Sequence, residues 1–410
     1  MTETAGPARL PVRVLLVSPE VPPLHTGHAA VIERVFRGID PDDYQLLAFN
    51  SREIQPDIAG RRLPAKTHFV KGQWPFGVHP EYRLGGARQV RTFLSETQRR
   101  TRIIAEVVRR ERIGAIVVTS SNTPDPAAAL AAARLTGVPL VLYMLDNWRH
   151  LIALSGRAPG MLANALQPRV VHGSRLVMAP NSSLADDLWR DHGRRARVVG
   201  IPLPDPTLLD ERPPVRWPLN DDEIRIVFTG QVYEAHFDAV RRLLWALDSP
   251  ELPPVVLHLY TSQTEQRIAS IGLRGRLRVH PHVPPPAVNQ LQREADILFL
   301  PLAFSTPYPD VVRTASPTKT GEYLASGRPI LVHAPPDSYP AAAARRFEFA
   351  ALVDTESADA VAAAIRRIIN DAEYRDRIVA NARAAANTLY GPAATNELFV
   401  RSLQQALAKP

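Results

Sequence analysis

Short, wholly apolar runs alternate along this chain with longer stretches whose apolar positions recur every three to four residues. Val12–Ser18, Tyr44–Asn50, Ala115–Ser120, Leu140–Leu145, Arg175–Ala179 and Arg197–Ile201 read as strands. Their apolar runs are mostly continuous rather than alternating, as expected of strands covered on both faces. Between them, Val31, Val35 and Phe36 mark one helix, Ala127–Leu135 another, and the stretch from Ser182 a third. Arg83–Arg112 reads as one long helix. Strand and helix in regular succession imply a parallel sheet with helices on both faces.

The rhythm breaks at Pro202–Asn220, which holds six prolines and reads as an interdomain linker. It then restarts. Ile224–Gly230, Val255–Thr261, Leu277–Val283, Ile297–Leu302 and Ala351–Asp354 read as strands. Ala235–Leu247, Ala358–Asn370, Ala372–Leu389 and Ala393–Ala408 read as helices. The expected organisation is α/β, with two doubly wound domains facing a central cleft. The first spans 1–203 and the second 221–392, joined by a linker over 204–220. A last helix over 393–410 is expected to pack back towards the first domain.

Ligands of doubly wound sheets bind beyond the carboxyl ends of the strands. In the first domain those ends offer His25, Gly27, His28, Ser121, Asn122, Asp146 and Asn147. Gly27 at a helix start can let a backbone approach a ligand closely, or be a plain loop residue. His25 and His28 have no third ligand nearby, so no metal site is expected. Asp40-Pro41-Asp42 lies before a strand and reads as a turn.

The most telling stretch is Thr314–His333, TASPTKTGEYLASGRPILVH. Ser316 is placed to cap a helix, Pro317 suits its first position, and Gly327 can close it in a left-handed conformation. The apolar residues that follow read as a buried strand. Lys319 and Glu322 share one helix face. A helix start bearing a lysine attracts phosphates, and a carboxylate one turn on accepts hydrogen bonds from sugar hydroxyls. The alternative is a surface pair worth a few tenths of a kcal/mol.

Composition narrows the setting. At 410 residues with 45% apolar content, the chain can build two cores. It has no cysteines, which excludes disulfides and thiolate metal sites. Met1–Arg9 lacks an apolar signal core, and no apolar run approaches the roughly 20 residues that span a bilayer. The expectation is a cytoplasmic protein, with peripheral attachment to the inner face of the membrane left open.

The formal charge is +8, and nine arginines against three glutamates in Arg83–Arg112 supply +6 of it. That stripe either meets an anionic membrane surface or is simply solvated. Phe93, Ile103, Ile104, Val107 and Val108 would be its apolar side, facing either lipid or the sheet. Ser51–Leu84 reads as a long irregular loop with a Trp74-Pro75-Phe76 cluster, suited to shaping an acceptor site or dipping into a membrane. No nucleic-acid motif accompanies the arginines, so no nucleic acid is expected as partner.

Three stretches, IRIVFTGQVYEAHFDAV, HVPPPAVNQLQREADILFLPL and SPTKTGEYLASGRPILV, are similar to family 4 glycosyltransferases of the GT-B fold. The first half resembles them through SPEVPPLHTGHA, GVPLVLYMLDNW and SRLVMAPNSSLADDL. The resemblance implies two Rossmann-like domains. It implies transfer of a sugar from a nucleotide diphosphate donor to a glycan, lipid-linked or small-molecule acceptor, as in polysaccharide biosynthesis. Retention of configuration, independence of metal and the absence of any cofactor beyond the nucleotide sugar substrate follow from the same likeness. The donor would lie on the second domain and the acceptor on the first.

By that likeness Glu322 holds the donor ribose. Ser316, Thr318 and Lys319 approach the diphosphate or nucleoside, and Gly230 and Gly27 let the diphosphate come close. Asp146 or His28 would orient the acceptor; Asp146 otherwise caps the next helix. Lys319 joins them as a catalytic candidate. The chain departs from the pattern where the family has two basic residues, here Gln231 and His236. Thr314 stands where the first of two glutamates is usual, and Leu145 replaces a histidine. Charge stabilisation would then fall on Lys319, on backbone N–H groups and on Arg313, which is otherwise a solvated arginine. The rival readings are a non-catalytic GT-B scaffold partnering another transferase, and a sugar-nucleotide epimerase.

Overall fold

The structure is a computed structural model that describes residues 6–24, 26–49, 62–72, 86–121, 123–153, 156–209, 216–219 and 222–408. It divides into two compact units, one of Met1–Pro202 with Pro392–Pro410, the other of Leu203–Gly391.

The first unit is built on a seven-stranded parallel sheet. Its strands are β1 (Val14–Val17), β2 (Tyr44–Phe49), β3 (Thr67–Val70), β4 (Ala115–Thr119), β5 (Leu140–Tyr143), β6 (Leu176–Ala179) and β7 (Arg197–Val198), in the order β3-β2-β1-β4-β5-β6-β7. Continuous apolar runs produce two cores. Leu15 and Val17 of β1 enter one, Val14 and Leu16 the other. The strand order reverses beside β1, with β2 on one side and β4 on the other. Such a switch point opens a crevice at the carboxyl ends. The helix α1 (Gly27–Phe36) starts there, its N-cap Thr26 accepting from the Ala29 N–H.

Asp40 accepts from the Asp42 N–H and opens a 3-10 turn over Pro41–Asp43, as that turn sequence predicts. The long helix α2 spans Gly86–Arg110. Its Phe93, Ile104, Val107 and Val108 lie in the sheet core, with Ile103 packed against it. These residues are therefore unavailable to lipid. Arg100 is fully buried and pairs with Glu96 (3.2 Å) and Asp125 (2.5 Å), so the stripe is in part a structural network. Phe49 lies under its guanidinium, 4.8 Å away.

β3 falls inside the stretch read as irregular; it is short and partly exposed at the sheet edge, which leaves a weak pattern. The Trp74–Phe76 cluster lies outside the described residues. α3 (Asp125–Thr136) follows β4, and α6 (Ser182–His192) follows β6. Two helices, α4 (Trp148–Ala153) and α5 (Arg157–Gly173), occupy a span with no earlier assignment.

The second unit carries a six-stranded parallel sheet of β8 (Ile224–Thr229), β9 (Val255–Thr261), β10 (Leu277–Pro281), β11 (Ile297–Pro301), β12 (Ile330–His333) and β13 (Ala351–Val353). The order is β10-β9-β8-β11-β12-β13, with the reversal between β8 and β11. Ile226 and Phe228 enter one core and Val227 the other. The helices are α7 (Phe237–Leu247), α8 (Glu265–Ser270), α9 (Pro285–Arg293), α10 (Pro309–Arg313), α11 (Lys319–Ala325), α12 (Tyr339–Phe347), α13 (Ala358–Asn370) and α14 (Ala372–Tyr390).

The described parts of Pro202–Asn220 that belong to this unit are packed onto it. Leu208 is buried, Trp217 Nε1 donates to the Asp296 carbonyl, and the Asp296 carboxylate accepts from the Leu219 and Arg225 N–H groups. The last helix, α15 (Asn396–Leu407), belongs to the first unit, where Phe399 meets Phe36 and Tyr143 at 5.5 and 5.6 Å. Among the described residues no helix is long and apolar enough to cross a membrane.

Removing one partner of a buried ion pair leaves an uncompensated charge. Arg100→Met therefore lowers unfolding free energy by about 3 kcal/mol or more. Denaturant titration measures it, and a loss below about 1 kcal/mol would show that the network is dispensable.

Candidate functional site

In the second unit, β8 delivers Thr229 and Gly230 to the carboxyl edge of the sheet. Gly230 has φ of +121°, a conformation that side chains avoid, and its N–H donates to the Tyr260 carbonyl at 2.8 Å. A Cβ on Gly230 would stand 3.2 Å from Lys319 Nζ, so the missing side chain makes room for the ammonium group.

The loop beyond Gly230 is held firmly. Gln263 brackets Val232, accepting from its N–H (2.7 Å) and donating to its carbonyl (3.0 Å). Asp238 at the start of α7 accepts from the Phe304 and Ser305 N–H groups after β11 and pairs with Arg242. Both sides of the switch point are thus tied together. Gln263 and Asp238 escaped the sequence reading, since a polar residue in a loop or first helical turn carries no spacing signal of its own.

α11 opens at Lys319, later than its capping sequence suggests. Thr318 is the N-cap and makes no side-chain capping bond, while the Thr320 N–H reaches back to the Pro317 carbonyl at 2.9 Å. Pro317 thus sits in a turn that leads into the helix, not at its first position. Ser316, Thr318 and Lys319 itself are part-buried. At the other end Gly327 has φ of +77°, the left-handed closure expected of it. The Tyr323 hydroxyl accepts from the Thr229 N–H at 3.4 Å and seats α11 against β8.

Lys319 makes no ion pair among the described residues, so the surface pairing with Glu322 does not form. Its Nζ lies 3.7 Å from the centre of the Phe228 ring, a cation–π contact. Burial pushes its pKa down to about 7, with Glu322 pulling the other way. Glu322 is 9% exposed and accepts from Gln292 Nε2 at 3.0 Å.

The two departures from the expected basic pattern differ in character. Gln231 is exposed and donates to Ser262 Oγ at 3.2 Å. His236 is buried edge-on against Phe228 and Tyr233, and its Nδ1 has no partner among the described residues. Burial first, and then Lys319, push its pKa down to about 3. Neither carries positive charge at neutral pH. Arg313 lies 3.8 Å from the Asp310 carboxylate, which offsets part of its charge, and the buried Thr314 donates to the Asp310 carbonyl.

In the first unit, Gly27 is exposed at the start of α1 and His28 is part-buried beside it. His28 Nε2 lies 2.9 Å from Thr119 Oγ1 at the end of β4, and burial lowers its pKa. Asp146 follows β5. Its backbone N–H and carbonyl both bond Ser120 Oγ, and its carboxyl has no partner among the described residues. It therefore caps no helix there. Burial raises that carboxyl's pKa to about 6. Asn147 Oδ1 is likewise buried with no hydrogen-bond partner among the described residues. His28 and Asp146 thus stand at neighbouring strand ends, whereas His25 and Asn122 lie outside the described residues. Among the described residues no three histidines or carboxylates are grouped to hold a metal.

Two parallel sheets, each with a ligand-facing switch point, are the architecture of several solved enzymes. The chain is similar to the crystal structure of a glycosyltransferase from Rickettsia africae, with 11% identity, a TM-score of 0.63, and 97% and 99% of the two chains covered. The structure of HepE from Anabaena in complex with UDP-glucose matches at 14% identity and TM-score 0.62, over 97% of this chain and 98% of that one. An alpha,alpha-trehalose-phosphate synthase (UDP-forming) from Burkholderia vietnamiensis matches at 13% identity and TM-score 0.66, over 97% and 99%.

The fold is GT-B.

Residues 215–385 match the family model described as Glycosyl transferases group 1, which supports a transferase. No curated protein matches the chain in sequence. The matched segment of this GT-B chain contains Gly230, His236, Lys319 and Glu322; Gly27, His28 and Asp146 lie before it.

Proposed function

We propose that the chain is a retaining, metal-independent glycosyltransferase of the family 4 kind. It uses a nucleotide diphosphate sugar as donor and no other cofactor. The observation that carries this reading is Lys319. A lysine held beside a side-chain-free Gly230, one helical turn from a buried carboxylate, offers a diphosphate and a ribose their complementary groups. Binding of UDP-glucose by HepE, a protein of the same fold, supports the same donor class.

In the proposed reaction the bond between the sugar's anomeric carbon and the diphosphate breaks. The acceptor oxygen bonds that carbon on the same face, and its proton passes to a leaving phosphate oxygen. Negative charge grows on the diphosphate, and Lys319 stabilises it as a protonated ammonium. The free lysine titrates near neutrality, so the arriving diphosphate draws a proton onto it. Glu322 accepts from the ribose hydroxyls. Gly230 leaves space for the diphosphate, and Arg313, Ser316 and Thr318 flank it. On the first unit Asp146 and His28 orient the acceptor hydroxyl, and a polysaccharide precursor is the acceptor class proposed.

The neutrality of Gln231 and His236 favours a second reading, a GT-B scaffold that has lost chemistry. One assay separates the two. Against a panel of nucleotide sugars, Lys319→Ala and Glu322→Ala each reduce turnover by about 100-fold. Normal turnover in both variants would sink the donor-site assignment, and absence of turnover and of nucleotide binding in the unaltered chain would favour the scaffold.

A separate proposal concerns location, at the cytoplasmic face of a membrane. α2 exposes Arg88, Arg91, Arg102, Arg109 and Arg110 along its solvent side, and Arg112 follows it. Since the apolar side of α2 is buried, any attraction is electrostatic. The chain is expected to sediment with anionic liposomes at low salt and to be released at high salt. Failure to sediment at low salt would end this reading.

A further inference from the structure

Glu322 is contacted by a buried glutamine of a neighbouring helix. Gln292, on the last turn of α9, is 1% exposed, and its amide nitrogen donates to Glu322 Oε2 at 3.0 Å. An ionised carboxylate only accepts, so the amide must present its nitrogen there. That bond engages Oε2 of the carboxylate.

The donor itself is anchored. Arg328, 1% exposed and just past α11, donates from Nε to the Arg293 carbonyl at 2.6 Å, and its own N–H is held by Ser326 Oγ at 3.1 Å. This clip joins the end of α9 to the turn after α11, one residue from Gln292. The Gln292–Glu322 bond therefore runs between two helices that are also tied together through Arg328.

We propose that Gln292 is a positioning residue that aims the Glu322 carboxylate at the donor ribose, and that it sets ribose recognition rather than diphosphate binding. The inference rests on the nucleotide-sugar reading, in which Glu322 meets the ribose. It separates the site into two parts. Lys319 answers to the diphosphate; Gln292, through Glu322, answers to the sugar ring of the nucleoside.

Calorimetry with UDP, ADP and GDP and their 2′,3′-dideoxy counterparts tests this on the full chain. The unaltered protein is expected to prefer its best ribonucleotide over the dideoxy form by about tenfold or more, the worth of a hydrogen bond to a charged group. Gln292→Leu is expected to bring that ratio to within about twofold while leaving dideoxy binding nearly unchanged. A merely structural role would weaken both forms alike.

Should Gln292→Leu fail to fold, Gln292→Glu gives the same answer. The replacement keeps the length of the side chain but removes the amide donor, so the ratio is again expected within about twofold. Unaltered discrimination in Gln292→Leu, or in Gln292→Glu, would overturn the role of Gln292 and leave the donor reading standing. Discrimination absent from the unaltered protein would overturn the aiming of Glu322 as well. If that protein binds none of the nucleotides, the donor reading falls and this inference with it.

Discussion

The ammonium group of Lys319 rests on the face of Phe228, beside a glycine whose φ of +121° is one that side chains rarely adopt. Much of the second unit is arranged around that contact. Phe228 and Gly230 reach it because β8 lies at the point where the strand order reverses. Lys319 reaches it because α11 is seated on β8 through Tyr323. His236 packs its ring against the same phenylalanine and stays neutral there, in part because the lysine is near. Two adjacent cations would repel, so a histidine that gives up its charge is compatible with a lysine that keeps part of its own. With Gln231 and His236 in the two positions expected to be basic, positive charge falls on Lys319, whose pKa burial pushes down to about 7.

The fold was legible because its signal is repeated. Short apolar runs such as VLLV read as strands buried on both faces, and they recur in both halves with helical stretches between them. Where the pattern is weak the reading faltered. β3 is a short, partly exposed edge strand, and α5 carries a proline inside it, which removes the usual helical signature. The capping sequence at Ser316-Pro317 suggested an earlier start to α11 than the backbone takes, because a preceding turn uses Pro317 as acceptor instead. Gly327 closed its helix as its sequence suggested, since left-handed backbone has few other tenants.

The candidate site was legible only in its outermost members. Lys319 and Glu322 could be singled out by spacing, and Gly230 by the family likeness. Gln292, Gln263 and Asp238 could not, because what matters about them is a hydrogen bond across some 30 to 70 residues of sequence. The arginine stripe shows the converse. Charge counts suggested one continuous basic surface, yet Arg100 is fully buried with Asp125, and Arg99 and Arg110 pair with glutamates of the same helix or its end. A run of like residues along a helix has an inside and an outside, and only the folded chain distinguishes them.

The central claim is that Lys319 is the cation of a diphosphate site and is held partly discharged until a ligand arrives. Titrating isotopically labelled lysine side chains by NMR, before and after adding a nucleotide sugar, tests it directly. Lys319, identified by its absence from Lys319→Arg, should titrate near about 7 in the free protein and return to the ordinary lysine range when the nucleotide sugar is bound. Titration in the ordinary lysine range without ligand, or a value that the nucleotide sugar leaves unmoved, would contradict the account.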